Sequence, residues 1–304
     1  MDLKDKTIAV TGASGMIGVY ICRELLRRGA RVIGVVRNPD KAAFLAGEGV
    51  TFRRADLADR DALTRGFDGC DAVVSNAAMF IMTRAMADWD AHMQANVEGT
   101  RNVYEAMRAA GVTRAVQVST CGVYRFIPWR RMRPDSPQID GERRQGGPYR
   151  ATKQVSEKLA WTLSDEGGIG LTVVRPSGVY GARDANAMPM VHRALRFPGL
   201  LPVPTIIAPM VHAADVAIAI AGALENDASS GKAYVTGGPD TTLYGFMRAA
   251  KRAAGRGPLM VPLPTYVGFY CDNSAAERDL GFSNRPFEQG FREIWAEDPP
   301  PWAR

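Results

Sequence analysis

The chain has 304 residues, 46% hydrophobic and 23% charged, a composition that fits a folded globular protein and excludes a disordered or fibrous one. Its length suits two domains, or one large α/β domain with a lobe attached. An excess of 38 basic over 32 acidic residues gives a formal charge of +6 without any block of like charges, a weak pointer to an anionic ligand and none to nucleic acid.

The cysteines, Cys22, Cys70, Cys121 and Cys271, lie far apart without CxxC spacing or a histidine cluster, so neither a metal site nor a disulfide framework is expected. A reducing cytoplasm is the expected compartment. Met1 to Lys6 is polar and leads straight into a strand, unlike a signal peptide. The most apolar stretch, Val203 to Leu224, is interrupted by Pro204, Pro209, His212 and Asp215, which argues against a membrane span.

Short β-branched runs predict strands at Thr7–Val10, Arg31–Val36, Val50–Arg54, Ala72–Ser75, Ala115–Ser119 and Leu171–Arg175. Helical periodicity between them predicts helices at about Gly15–Arg28, Asp59–Phe67, Trp89–Ala110 and Tyr149–Leu163. Alternation of this kind implies βαβ units in a doubly wound parallel sheet, with residues 1–176 as the sheet domain. After Pro176 the pattern loosens through the proline-rich Phe197–Pro209. A helix at Ala213–Glu225, a strand at Ala233–Thr236, a helix at Leu243–Ala254, a short strand near Leu259–Val261 and two final helices follow. Residues 177–304 therefore read mainly as a smaller C-terminal substrate lobe, with some elements returning to the sheet.

Directly after the first strand, Thr11-Gly12-Ala13-Ser14-Gly15-Met16-Ile17-Gly18 spells GxxGxxG at the opening of a helix. Glycines there permit a tight turn and close backbone approach to a pyrophosphate, and the helix N-terminus supplies free N–H groups and partial positive charge. The end of the second strand selects the cofactor, because an acid in that region would bind the ribose 2′-hydroxyl of NAD. Here Arg37 stands nineteen residues after Gly18, and no acid occurs from Ala30 to Pro39. A guanidinium suits a 2′-phosphate, so NADP(H) is the preferred cofactor and NAD(H) a possible one.

Tyr149-Arg150-Ala151-Thr152-Lys153 puts a phenol and an ammonium at i and i+4 on one helix face. A nearby ammonium favours phenolate and brings the tyrosine into range as a proton donor or acceptor. Upstream, Ser119 and Thr120 lie at the carboxyl end of the fifth strand, the edge where open α/β sheets bind ligands.

These residues closely resemble the extended short-chain dehydrogenase/reductase superfamily along nearly the whole chain. The resemblance implies a Rossmann fold with the phosphate loop on Gly12, Gly15 and Gly18, an adenine contact from Asp56-Leu57, and small residues under the cofactor at Ala77-Ala78. It also implies a structural asparagine at Asn96, and a catalytic trio of Thr120, Tyr149 and Lys153, with Thr120 rather than Ser119 as the catalytic hydroxyl. Arg175-Pro176-Ser177-Gly178-Val179-Tyr180-Gly181 is similar to the segment that lines the nicotinamide, which puts Pro176, Ser177 and Val179 beside Ser14, Met16, Ile17 and Ser119 among the expected cofactor contacts.

Val211 to Val216 and Asp272 to Phe282 resemble two further family elements, with Ala214 replacing the usual first Asp of the earlier one. The dehydratases of this family follow the catalytic threonine with Asp-Glu, whereas Cys121-Gly122 stands here and speaks against elimination of water. Val35 to Pro39 resembles dihydroflavonol-reductase-like members. The resemblance thus implies an NADP(H)-dependent oxidoreductase acting on an alcohol/carbonyl pair of a small molecule. A sugar-nucleotide epimerase holding NAD is the alternative within enzymes, and a non-catalytic NADP-binding regulator the alternative outside them. The helices Trp89–Ala110 and Tyr149–Leu163 correspond to the family's dimer-forming pair, so a homodimer is expected.

Some residues stay outside these motifs. Arg125, Arg130, Arg131, Arg133, Arg143, Arg144 and Arg150 either grip an anionic substrate or form a solvated surface loop. His192 and His212 either touch substrate or serve structure. Met79, Met82 and Met86 either line an apolar pocket or fill core. Cys121 reads as a small packing residue.

Overall fold

The computed structural model describes residues 1–80, 86–265 and 267–303. Among them, β1 (Thr7–Thr11), β2 (Arg31–Val36), β3 (Thr51–Arg54), β4 (Ala72–Ser75), β5 (Arg114–Val118), β6 (Gly170–Pro176) and β7 (Lys232–Thr236) form one parallel sheet in the order β3-β2-β1-β4-β5-β6-β7. Strands covered on both faces need apolar side chains at successive positions. β4 and β5 accordingly are buried at every residue.

The principal helices are α1 (Met16–Arg27), α2 (Arg60–Phe67), α3 (Gly99–Ala109), α4 (Gly147–Gly167), α5 (Ala213–Glu225), α6 (Leu243–Ala254), α7 (Ser274–Leu280) and α8 (Phe287–Glu297). Because strand side chains alternate between faces, Ile8 and Val10 pack with Leu25 of α1 and Ile220 of α5. Ala9 joins the opposite core with Phe67 of α2, Tyr104 of α3 and Ala160 of α4. A third apolar cluster, formed by Tyr180, Met188, Phe246 and Phe291, lies among C-terminal elements.

One element departs from the sequence reading, and one strand of the second half returns to the sheet. The segment Trp89–Ala110 is not one uniform helix: an α-turn at Trp89–His92 passes into a π-helical stretch at Met93–Glu98 before α3 begins. Such π-turns widen a helix locally, and this one places Asn96 where it braces two other elements. The run Ala233–Thr236, read as part of the second half, closes the sheet as β7 on the outer side of β6. No described helix is long and apolar enough to cross a membrane.

Candidate active site

The chain order reverses between β1 and β4, and ligands of open α/β sheets bind at the carboxyl ends of strands flanking such a point. Gly12 has a left-handed φ of +67°, and a Cβ there would lie 2.9 Å from Ala77 Cα. The loops after β1 and β4 therefore touch. Thr11 Oγ1 reinforces that contact by accepting the N–H groups of Asn76 and Ala77 at 3.0 and 3.1 Å. A Cβ at Gly18 would come within 2.1 Å of Gly12 O, so only glycine lets α1 start this close to the turn. Gly15 caps α1 without a side-chain bond, leaving first-turn amides open beside exposed Ser14, with Met16 and Ile17 half-buried. This cradle of uncapped amides and absent side chains fits the pyrophosphate of a dinucleotide.

At the end of β2, Arg37 is 81% exposed and its Nε lies 3.8 Å from Asp56 Oδ2. Asp56 also accepts the Ala58 N–H, and Leu57 packs beneath Gly99. This puts Arg37, Asp56 and Leu57 in one neighbourhood. Ala78 is exposed next to the half-buried Ala77.

Thr120, just past β5, accepts the Gly122 N–H at 3.0 Å through Oγ1 and lies beside Tyr149 of the first turn of α4, where it acts to lower the phenol's pKa. Phe80 stands edge-on to the Tyr149 ring at 4.7 Å. Burial pushes the phenol up to about 12, and Thr120 opposes that rise. Lys153 is buried, and its Nζ donates to Val118 O at 2.8 Å. Burial lowers its amine to about 8, while the Glu157 carboxylate acts to raise it. Helix spacing led to the expectation that Lys153 would depress the Tyr149 pKa. The structure instead turns the amine toward the end of β5, and the phenol's proton affinity is set by burial and Thr120.

Several of the expected cofactor contacts also make hydrogen bonds within the protein. Ser119 is buried and donates its hydroxyl to Glu157 beneath α4, whereas Thr120 lies beside Tyr149. Asn96 bonds Met79 N–H at 2.7 Å, Met79 O at 3.3 Å and Thr152 Oγ1 at 3.0 Å, which ties the loop after β4 to α4 as a brace. Ser177 donates to Pro209 O and accepts from Gly238 N, so its side chain holds loops together. Pro176 ends β6 and is buried, while Val179 lies half-buried in a short strand paired with Val211.

In the arginine-rich segment Arg125, Arg130, Arg131, Arg133, Arg143 and Arg144 are exposed, in keeping with a surface loop, and several are also held by neighbours. Arg131 pairs with Asp240 and bonds Cys271 O, Arg133 pairs with Asp272, and Arg150 bonds Gly122 O and Tyr124 O. Arg125 donates to Gln138 O, Arg143 pairs with Asp140, and Arg144 lies over Trp89. His212 caps α5 by accepting Ala214 N–H through Nδ1, and burial lowers it to about 3. His192 accepts from Trp295 Nε1 at 3.1 Å. Met79 meets Asn96 through its backbone, Met86 is 41% exposed, and Met82 lies outside the described residues.

Cys121, distant from Cys271 in sequence, packs beside it here and bonds Arg175 O; burial and that neighbour raise its thiol well above the ordinary range. All four cysteines are free.

One feature escaped sequence reasoning. Arg175 forms a buried ion pair with Glu157 and donates to Tyr124 OH at 2.6 Å. The available signal was helical spacing, since Glu157 extends the Tyr149/Lys153 face by one more turn.

A glycine-lined dinucleotide cradle beside a Thr/Tyr/Lys cluster at the carboxyl edge of a parallel sheet defines a dinucleotide-binding Rossmann protein of the short-chain dehydrogenase/reductase type. Residues 8–237 match the model of the NAD dependent epimerase/dehydratase family, and the chain belongs to that family. It is 34% identical over 191 residues to 2-alkyl-3-oxoalkanoate reductase of Stenotrophomonas maltophilia (strain K279a), covering 62% of this chain and 56% of that protein. It is 32% identical over 192 residues to cinnamoyl-CoA reductase 1 of Petunia hybrida, covering 58% and 55%. The matches thus span little more than half the length of these curated relatives. In fold, the chain is similar to UDP-glucose-4-epimerase from Stenotrophomonas maltophila with bound NAD and formylated UDP-arabinopyranose, with a TM-score of 0.83 and 22% identity over 96% of this chain and 97% of that one.

Proposed function

We propose that the protein is an NADP(H)-dependent oxidoreductase that interconverts an alcohol and a carbonyl on a small-molecule substrate. The observation that carries this reading is the placement of Tyr149 beside Thr120 at the carboxyl edge of β5, close enough for the threonine to act on the phenol's proton affinity. When bound, the nicotinamide supplies a hydride to the reacting carbon or takes one from it. Tyr149, with its pKa near 12, is protonated at neutral pH and donates its proton to a carbonyl oxygen. Thr120 accepts a bond from Gly122 N–H, which fixes its hydroxyl beside Tyr149, and its one hydrogen would have to turn from the phenol to reach the substrate oxygen. Lys153 keeps further ammonium hydrogens beyond the one given to Val118 O. These would hold the nicotinamide ribose.

Gly12, Gly15 and Gly18 carry the pyrophosphate, and Arg37 selects a 2′-phosphate over a hydroxyl. The similarity to two reductases supports net redox chemistry, and the free thiols fit a cytoplasmic setting. The whole-chain likeness to a UDP-glucose-4-epimerase favours a second reading, in which tightly held NAD serves an epimerase.

The test compares wild type with Tyr149→Phe in NADPH and NADH titrations against a panel of aldehydes, ketones and sugar nucleotides. Expected are a preference for NADPH and a loss of at least about 100-fold in turnover on removing the phenol, with cofactor still bound. Near-normal turnover by Tyr149→Phe would overturn the assignment. A purified protein carrying stoichiometric NAD would turn it toward the epimerase.

A further inference from the structure

Large apolar side chains exposed singly are ordinary on a protein surface, but a connected set is not. Such a set begins at the proposed reaction centre. Phe80, 46% exposed, stands edge-on to Tyr149. On the next residue of α4, the Arg150 guanidinium lies 4.3 Å from the ring centre of Phe126, itself 44% exposed. A Cβ at Gly122 would lie 3.2 Å from Arg150 Cγ and 3.3 Å from Thr120 Oγ1, so this arginine and the Thr120 hydroxyl flank one backbone position.

Outward from there, Phe126 packs on Phe269 at 5.1 Å, Ile127 is 38% exposed, and Trp129 meets Tyr270 at 6.4 Å. Trp129 is 56% exposed and has a left-handed φ of +66°, a conformation that bulky side chains rarely adopt. Its N–H is held by Gly268 O at 3.1 Å, and the short Arg131–Met132 strand pairs with Tyr270–Cys271 directly behind it. The backbone of this residue is thus fixed while its indole stays exposed.

We infer that these side chains receive an apolar arm of the substrate, aryl or long alkyl, attached to the carbonyl that meets Tyr149. This rests on the oxidoreductase reading of the same site. Charge leans the same way: Arg131, Arg133 and Arg150 in this rim are engaged by Asp240, Asp272 and backbone carbonyls, which leaves the exposed Arg130 beside Trp129 to meet a diphosphate.

Two measurements on the full chain test it. With NADPH, kcat/KM over the straight-chain aldehydes from butanal to decanal should rise about two- to fourfold per added methylene. Phe126→Ala and Trp129→Ala should each cut the decanal-to-butanal ratio by about 10-fold, whereas Phe197→Ala, an equally exposed ring outside the rim, should leave the ratio as it was. Calorimetric binding of decan-1-ol against butan-1-ol, with NADP present, reads the same rim without turnover. Stronger decan-1-ol binding that is lost in Trp129→Ala supports the inference even if no aldehyde is reduced, an outcome that would sink only the oxidoreductase reading. A flat chain-length series together with equal binding of the two alcohols would overturn it.

Discussion

Lys153 is pulled in opposite directions by its surroundings, and the pH behaviour of the site follows from which pull dominates. Burial outweighs the Glu157 carboxylate one turn further along α4, so the amine titrates near 8 rather than 10.5. Glu157 itself can be buried because Arg175 pairs with it and Ser119 donates to it; a carboxylate left there alone would be strongly destabilising. Tyr149 stays protonated until about pH 12. Only the ammonium is therefore lost in the mildly alkaline range, and kcat/KM for carbonyl reduction should fall as pH rises through about 8.

Removing the charge with Glu157→Gln withdraws the one influence that favours the ammonium, so the descending limb should move to lower pH. A pH profile that stays in place would refute the coupling. Stability answers to the same group with the opposite sign. The unfolded chain binds the Lys153 proton up to 10.5 and the folded chain only to about 8, so this residue's contribution to stability is lost as pH falls through about 8 and is fully present above 10.5.

At the scale of elements, close approach between helices sets what the chain tolerates. A Cβ at Gly222 in α5 would lie 2.1 Å from Leu280 O at the end of α7. Replacing a helical glycine by alanine gains about 0.5–1 kcal/mol in open surroundings, whereas forcing a methyl group against backbone costs about 1–3 kcal/mol. The clash should win, and Gly222→Ala should lower the urea midpoint with an unchanged m-value; a higher midpoint would show that α7 yields easily.

The elements β1 to β6 and the glycine turn were legible in sequence because periodicity and a local turn encode them. The nearness of Tyr149 to the end of β5 was legible from helix spacing and strand order, whereas the choice of Thr120 over Ser119 came from the family resemblance alone. The π-turn at Met93–Glu98 was not, since no local spacing marks it and its Asn96 bonds Met79 and Thr152, which lie in other segments of the chain. Neither was the inward turn of Ser119, which needs Glu157 beneath it, nor the meeting of Cys121 with Cys271, which lie 150 positions apart in the chain.

For the whole molecule, association between copies would run through α3 and α4 if the chain pairs as its family resemblance implies. The solvent side of these helices carries Arg101, Glu105 and Arg108 on α3, and Lys158, Thr162 and Asp165 on α4. Arg101 is already paired with Glu98, and Glu105 with Arg60. Pairing through such a face would depend on charges meeting across it more than on apolar burial, and exposed charges are screened beyond about 8 Å at physiological ionic strength. Light scattering at micromolar concentration should then give a dimer mass in low salt that declines toward the monomer as sodium chloride is raised. A monomer mass throughout would remove the dimer, and a dimer indifferent to salt would move the interface off this face, toward surfaces where apolar side chains are exposed.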